Sequence, residues 1–268
     1  MKVWVNGELG RTEISVFDHG ITVGDGVFET IKLSRGAPFA LTRHLDRLAF
    51  SARGMGLAEP DQTAIRAGIE AVLRDTDWEL GRLRITYTGG IGPLGSERGA
   101  DGPTTIIIAG EQKPFPATAA VTVVPWPRNE HGALSGLKTT SYGDNVIALA
   151  HAKRHGGQEA IFGNIAGNLC EGTGSNLFLV RDGRLITPTL RSGCLAGVTR
   201  ALVLEWTGAE EVDVPLSELY EAEEAFLTST TRDVQAIAEL DGRPLPLGPV
   251  TRKTAEVFAA RAKNHLDP

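Results

Sequence analysis

Short apolar runs closed by turn dipeptides set the first limit on what this chain can fold into. Val3-Trp4-Val5 runs into Asn6-Gly7, Val27–Leu33 into Arg35-Gly36, and Asn176–Val180 into Asp182-Gly183, with Leu185-Ile186 continuing beyond. Each pairing of a β-branched or aromatic run with such a turn predicts a strand or hairpin. Further strands are predicted over Arg82–Thr88, Thr104–Ala109, Ala120–Val124, Glu159–Phe162 and Glu223–Thr228. Strands therefore outnumber helical patterns and do not alternate regularly with them, which argues against a Rossmann or TIM arrangement and for an α+β fold.

Helical spacing occurs in fewer places. Apolar residues at 41, 45, 48, 49 and 52 predict a helix over Leu41–Leu57, with Thr42 as its N-cap. A second helix is predicted from Thr63 to Asp75, announced by Pro60-Asp61. Later ones are predicted over Asp144–His155, with Val146, Leu149 and Ala150 on one face, and over Thr199–Trp206 and Thr251–Lys263. Between the Thr104–Ala109 and Ala120–Val124 strands, Pro114 and Pro116 mark a linker. This predicts a small N-terminal α+β domain over residues 1–110, a linker over 111–119 and a larger domain over 120–268.

Charge and cysteine usage narrow the function classes. A net charge of -6 gives no general attraction to nucleic acid. No run of eighteen apolar residues exists, so no membrane span is expected. The opening MKVWVNGELGRTEI lacks the apolar core of a signal peptide, which predicts a cytoplasmic protein. Two cysteines, Cys170 and Cys194, exclude a disulfide framework, and no metal site is predicted.

Two residues carry the candidate chemistry. Lys138 follows an apolar residue and precedes Thr139, Thr140 and Ser141. A lysine at a strand end is ordinarily solvated, but one held in a partly apolar cavity loses basicity and becomes an amine able to attack an aldehyde. Glu171 stands in Glu171-Gly172-Thr173-Gly174-Ser175-Asn176, either an exposed turn carboxylate or a partner for a pyridine nitrogen. Gly197-Val198-Thr199 at a helix start and Ser229-Thr230-Thr231 after a strand offer amides and hydroxyls suited to a phosphate. A Gly-x-Ser-x-Gly elbow is absent, which removes one hydrolase reading.

Taken in order, these pieces resemble a known family. They are Val23-Gly24-Asp25-Gly26-Val27-Phe28-Glu29-Thr30, His44-Leu45-Asp46-Arg47-Leu48, Leu137-Lys138-Thr139, the Glu171–Phe178 stretch, Gly197-Val198-Thr199-Arg200 and Thr228-Ser229-Thr230-Thr231. Together they resemble the class IV aminotransferase superfamily, the fold-type IV enzymes that use pyridoxal 5′-phosphate. The resemblance implies a two-domain α+β fold, with a small N-terminal domain, a larger domain carrying a barrel-like sheet, and the cofactor between them. It implies that Lys138 holds the cofactor as an internal aldimine and shuttles the substrate proton, while Glu171 pairs with the pyridinium nitrogen. Arg47, the Val198 and Thr199 amides, the Thr199 hydroxyl and Thr230 would bind the phosphate, and Tyr142 would reach the phenolic oxygen. A homodimer whose loops close each other's sites is implied as well.

Within that superfamily, D-amino-acid transaminases carry an Arg-x-His pair in the loop after the Arg82–Thr88 strand, where this chain reads Pro93-Leu94-Gly95-Ser96. The Tyr-x-Arg of branched-chain enzymes is missing too. The run Arg84-Ile85-Thr86-Tyr87-Thr88-Gly89-Gly90-Ile91-Gly92, with Phe28-Glu29-Thr30 and Arg128-Asn129, is more similar to 4-amino-4-deoxychorismate lyase. That likeness implies release of pyruvate and formation of 4-aminobenzoate for folate synthesis; the alternative is an amino-acid aminotransferase acting on a 2-oxo acid. Arg84, Thr30 and Tyr87 are the candidate substrate residues.

Overall fold

The computed structural model describes Met1–Pro268. The chain divides into two compact units. The first comprises Met1–Pro114, Leu137–Tyr142 and Leu266–Pro268; the second comprises Phe115–Gly136 and Gly143–His265.

The first unit is built on β1 (Lys2–Val5), β2 (Glu8–Leu9), β3 (Gly26–Ser34), β4 (Ala37–Pro38), β5 (Leu80–Thr88) and β6 (Thr104–Glu111). They form an antiparallel sheet in the order β2-β1-β6-β5-β3-β4. A one-turn helix, α1 (His19–Thr22), precedes β3, while α2 (Leu41–Gly54) and α3 (Gln62–Leu73) follow β4. Strand alternation sends Val27, Ile31, Leu33, Leu83, Ile85 and Ile107 to one face, where Leu45, Leu48, Ile65 and Ile69 of the helices cover them. Close seating of α3 needs Gly68, whose added Cβ would meet Ile107 Cδ1 at 2.6 Å and Trp4 Cδ2 at 2.9 Å.

The start of α2 differs from the sequence expectation. Thr42 is not its N-cap; Ala40 occupies that position with φ 54° and makes no side-chain cap. The Thr42 amide and hydroxyl instead donate to the two carboxylate oxygens of Asp267, at 2.9 and 2.6 Å. A carboxylate 225 residues away does the capping, which local sequence cannot announce.

The second unit contains β7 (Thr118–Val123), β8 (Glu159–Gly163), β9 (Leu169–Gly172), β10 (Asn176–Arg181), β11 (Arg184–Thr187), β12 (Glu210–Glu211), β13 (Glu224–Ser229), β14 (Asp233–Leu240) and β15 (Arg243–Pro244). Its curled sheet runs β12-β11-β10-β13-β14-β7-β8-β9, with β15 beside β14. The β14–β7, β7–β8 and β11–β12 pairs are parallel. Three helices, α4 (Gly143–Arg154), α5 (Val198–Thr207) and α6 (Pro249–Asn264), pack on it.

On α4 the buried face is Asn145, Ala148 and Ala152, not the expected Val146, Leu149 and Ala150. Small alanines let the helix lie close on Val124, Ala160 and Phe162, leaving Val146 at 63% exposure and Ile147 at 56%. Burial pushes the Cys194 thiol up to about 11 and the Cys170 thiol higher still, in keeping with packed rather than reactive cysteines. No helix is long and apolar enough to cross a membrane.

Candidate active site

In the first unit Thr30 and Arg84 lie, with Phe28 and Thr86, on the sheet face that the helices leave uncovered. The β3–β5 register sets Phe28 opposite Thr86 and Thr30 opposite Arg84. Alternation turns these four side chains away from the Val27/Ile31/Ile85 core. Leu137–Tyr142 passes beside β3, fixed by the Phe28 N–H donating to Lys138 O at 3.0 Å and the Thr140 N–H donating to Gly26 O at 2.8 Å. The Lys138 amide itself donates to the buried Ser51 hydroxyl of α2 at 3.1 Å.

Phe28 is the platform of this group. Arg84 places its guanidinium carbon 3.4 Å from the ring centroid, and Lys138 Nζ lies 4.3 Å from it. The Tyr142 ring meets Phe28 edge-on, with centroids 5.3 Å apart. Arg84 donates to the hydroxyls of Thr86 and Thr30 at 3.4 and 3.5 Å, long bonds for a guanidinium. Burial pulls its pKa down to about 10, against the opposing influence of Tyr142, so it stays charged at neutral pH. A charged, largely desolvated fork whose donors are only weakly engaged is ready to receive a carboxylate.

Tyr87, one residue out of phase, points into the helix-covered core and donates its hydroxyl to Ala58 O at 3.1 Å. The structure therefore does not bring it together with Arg84 and Thr30. Arg47 also lies on the helix side. Its Nε and Nη2 donate to the two oxygens of buried Glu29, both at 2.8 Å, and His44 Nδ1 is 2.7 Å from the same carboxylate. Desolvation opposes ionisation of Glu29, but Arg47 and then His44 outweigh it and hold the carboxyl at about 2. The two nitrogens of Arg47 that would make a bidentate fork are thus turned to a protein carboxylate.

In the second unit, Glu171 lies on β9, where Phe162 of β8 pairs with it. Its Oε2 accepts the Leu195 N–H at 2.9 Å, and its Oε1 is 3.4 Å from Arg128 Nε, a buried atom with no hydrogen-bond partner. The Arg128 guanidinium carbon lies over the Phe162 ring, 4.0 Å from its centroid. Asn176 donates to Leu195 O at 2.8 Å, so the Leu195 peptide is gripped on both sides.

That grip delivers the chain into α5. Gly197 is its N-cap and makes no side-chain cap, so the first-turn amides, Val198 and Thr199 included, receive no capping side chain. An added Cβ there would collide with Asn176 Oδ1, so any larger residue requires that side chain to move. Thr230 lies in the turn joining β13 to β14.

Phe28, Arg128 and Asn176 stand in the sequence motifs, which gave them no site role; the structure sets Phe28 against Arg84 and Lys138, Arg128 against Glu171, and Asn176 against Leu195. Phe28 had a signal, being two residues from Thr30 on the same strand face. Arg128 follows Pro125-Trp126-Pro127 in irregular backbone, where no periodicity points anywhere.

Comparison with known proteins matches residues 26–240 to the family described as amino-transferase class IV. A putative branched-chain-amino-acid aminotransferase of Methanocaldococcus jannaschii is 34% identical over 275 residues, covering 96% of this chain and 95% of that protein. A bifunctional aminodeoxychorismate lyase / D-amino acid transaminase of Mycobacterium tuberculosis is 29% identical, with 97% and 96% covered. Among solved structures, the branched-chain aminotransferase of Thermoproteus uzoniensis with norvaline superposes with a TM-score of 0.87 at 30% identity, over 97% of this chain and 93% of that one.

Proposed function

Because the chain belongs to the class IV aminotransferases, which depend on pyridoxal 5′-phosphate, we propose that it moves the amino group of an α-amino acid to a 2-oxo acid. The observation that carries this reading is Arg84 and Lys138 sharing the Phe28 ring. An α-amino acid bears its amine and carboxylate on one carbon; Arg84 is placed to take the carboxylate while Lys138, beside it, is placed where the amine would exchange with the cofactor's aldehyde.

The residues present fit the cofactor. The uncapped start of α5 suits a phosphate, since unpaired N–H groups and the helix dipole both favour an anion there. The Glu171 carboxylate, steadied by the Leu195 amide and Arg128, suits a protonated ring nitrogen. When bound, the group supplies an aldehyde for amine exchange and a ring that accepts the electron pair left when the Cα proton departs.

The chain's own tasks then follow. We assign Lys138 Nζ to hold the aldehyde carbon and, once released, to take and return the Cα proton. Arg84 orients the carboxylate so that this proton faces the lysine, with Thr30 and Thr86 steadying the guanidinium. Tyr142 packs on Phe28 and adds a hydroxyl to this group. Val198, Thr199 and Thr230 are assigned to the phosphate. Arg47, which also pairs with Glu29, is assigned there through its positive charge.

A second reading, 4-amino-4-deoxychorismate lyase, keeps the support of the motifs and of the bifunctional mycobacterial relative. Its substrate carries the amine on a ring carbon and its two carboxylates elsewhere on the molecule, so the Arg84–Lys138 pair meets it less directly than it meets an α-amino acid. A homodimer is also inferred, supported by exposed apolar residues at Val16, Phe17, Ile21, Ile91 and Leu94 of the first unit. Light scattering that returns a monomer mass near 28.5 kDa would refute it.

One assay separates the activities. Purified protein loaded with pyridoxal 5′-phosphate is given amino acids with and without 2-oxoglutarate, and in parallel enzymatically generated aminodeoxychorismate. Turnover of amino acids that requires the acceptor supports the transaminase. Pyruvate and 4-aminobenzoate formed without an acceptor, and no amino-acid turnover, overturn it. Borohydride should trap the cofactor on the native chain and not on Lys138→Ala.

A further inference from the structure

A buried ion pair in the second unit has no part in the assignments above. Glu159 opens β8 at 3% exposure, and its Oε2 accepts from Arg232 Nη2 at 3.0 Å. The other oxygen, Oε1, accepts from the Thr173 amide at 3.0 Å and from the Thr173 hydroxyl. Thr173 is two residues beyond Glu171, and Asn145 of α4 donates to its carbonyl at 2.5 Å. Arg232 is two residues beyond Thr230 in the β13–β14 turn, where its amide donates to Ser229 O at 3.2 Å. Its guanidinium also donates to buried Gln235 and lies 4.2 Å from the Phe115 centroid. Gln235 in turn donates to Pro116 O at 2.7 Å.

One carboxylate thus ties the end of the Glu171 strand to the turn that carries Thr230. Stability alone is a poor explanation for it. Burying two charges costs solvation that their attraction often fails to recover, and apolar replacements of similar volume are frequently as stable. What an apolar pair cannot do is fix two separate backbone segments by directional bonds at both ends.

We propose that Glu159 and Arg232 are positioning residues for the cofactor, holding the Glu171 carboxylate and the Thr230 hydroxyl in register through Thr173 and the β13–β14 turn. This rests on the assignment of Glu171 and Thr230 to the cofactor made above. Glu159 and Arg232 make side-chain polar contacts to Thr173, Gln235 and each other, so losing either positioning residue changes how tightly and in what protonation state the cofactor is held. Outer-shell partners of metal ligands set the scale, since their removal weakens affinity about 10- to 100-fold.

The test titrates apoprotein with pyridoxal 5′-phosphate, reading affinity by fluorescence and the protonation of the bound cofactor by absorbance against pH. Thermal unfolding of the apoprotein is recorded alongside. Glu159→Gln keeps the shape and removes the charge; Arg232→Met removes the cation, and Arg232→Lys restores it. Expected are a Kd raised about tenfold or more in the first two variants, a displaced absorbance–pH curve, and partial recovery in Arg232→Lys. An unchanged Kd and pH curve with lowered apoprotein stability means a structural pair only and overturns the proposal. Where Glu159→Gln fails to fold, Arg232→Lys against Arg232→Met decides: equal Kd values and pH curves overturn it. Glu171→Gln and Thr230→Ala are measured in parallel. If those two leave affinity and spectrum untouched, the underlying assignment has failed; if they weaken binding while Glu159→Gln does not, only the positioning proposal has.

Discussion

The Arg84 guanidinium carbon lies over the Phe28 ring, 3.4 Å from its centroid, with threonine hydroxyls as the guanidinium's only hydrogen-bond acceptors. The strand register produces this arrangement, because residue 84 faces Thr30 and residue 86 faces Phe28 across one antiparallel pair. A guanidinium so placed loses water without gaining a carboxylate, and an incoming anion restores what was lost.

Replacing Arg84 with Gln should therefore weaken kcat/KM for the amino-acid substrate. A charged hydrogen bond contributes about 1.5–3 kcal/mol, or about 10- to 150-fold in rate constant. The loss should appear mainly in KM, since the carboxylate is bound before and during the proton transfer. Cofactor loading, measured by absorbance, should stay as in the native chain. An Arg84→Gln enzyme with unaltered KM would remove Arg84 from substrate binding.

Tyr87 provides the matching control. Its hydroxyl donates to Ala58 O on the helix-covered side of the sheet. Tyr87→Phe should lower stability by about 1 kcal/mol, the usual worth of one such bond. Steady-state kinetics should not change. A raised KM would place the hydroxyl in contact with substrate, contrary to its position in the core.

These two residues show what the sequence could and could not deliver. Alternation over Arg82–Thr88 was visible, and so were the hairpin at Asn6-Gly7 and the paired runs around Asp182-Gly183. Which face of β5 stays open was not, because that depends on where α2 and α3 pack. The same gap explains α4, whose apolar Val146 faces outward while alanines face the sheet. Strands β9 and β14 went unrecognised: the first is four residues among glycines, and the second, DVQAIAEL, mixes charges into its alternation. The cap on Thr42 came from the far end of the chain. Motif order pointed to Lys138, Glu171 and the α5 start as candidates; the Phe28 platform and the Arg128–Glu171 contact needed coordinates.

Stability in acid should follow Glu29. Its folded pKa of about 2 lies below the ordinary value of 4.5, because Arg47 and His44 favour its ionised form despite burial. A depressed carboxyl contributes stability that is complete above about 4.5 and is lost as pH falls toward about 2. The contribution is on the order of 3 kcal/mol. His44 acts in the same sense, since burial lowers its pKa and the unfolded chain binds the extra proton first as pH drops below 6.5. Urea midpoints between pH 7 and pH 2.5 should fall steeply in the native chain. Glu29→Gln should be less stable at pH 7 by about 3–5 kcal/mol, because Arg47 and His44 lose the carboxylate that compensates them, and should lose much of the acid dependence. A variant whose midpoint still declines as steeply as the native chain's would show that other groups govern acid unfolding.

The approach of Gly197 to Asn176 gives a test of the α5 entrance. An alanine at 197 keeps an ordinary backbone, with φ −66°, so any effect comes from the collision of its Cβ with Asn176 Oδ1. Asn176 can yield only by giving up its bond to Leu195 O, and Leu195 is the residue whose amide holds Glu171. Gly197→Ala should therefore cost about 1–3 kcal/mol of stability, the usual range for overpacking, and should weaken affinity for pyridoxal 5′-phosphate as well. Asn176→Ala loses the same bond while making room. The double variant should then be no worse than Asn176→Ala by itself, a coupling that a double-mutant cycle on denaturation midpoints and cofactor Kd measures directly. Strictly additive losses would mean that the two residues act separately, and that the glycine is required at the helix start for some reason other than the asparagine beside it.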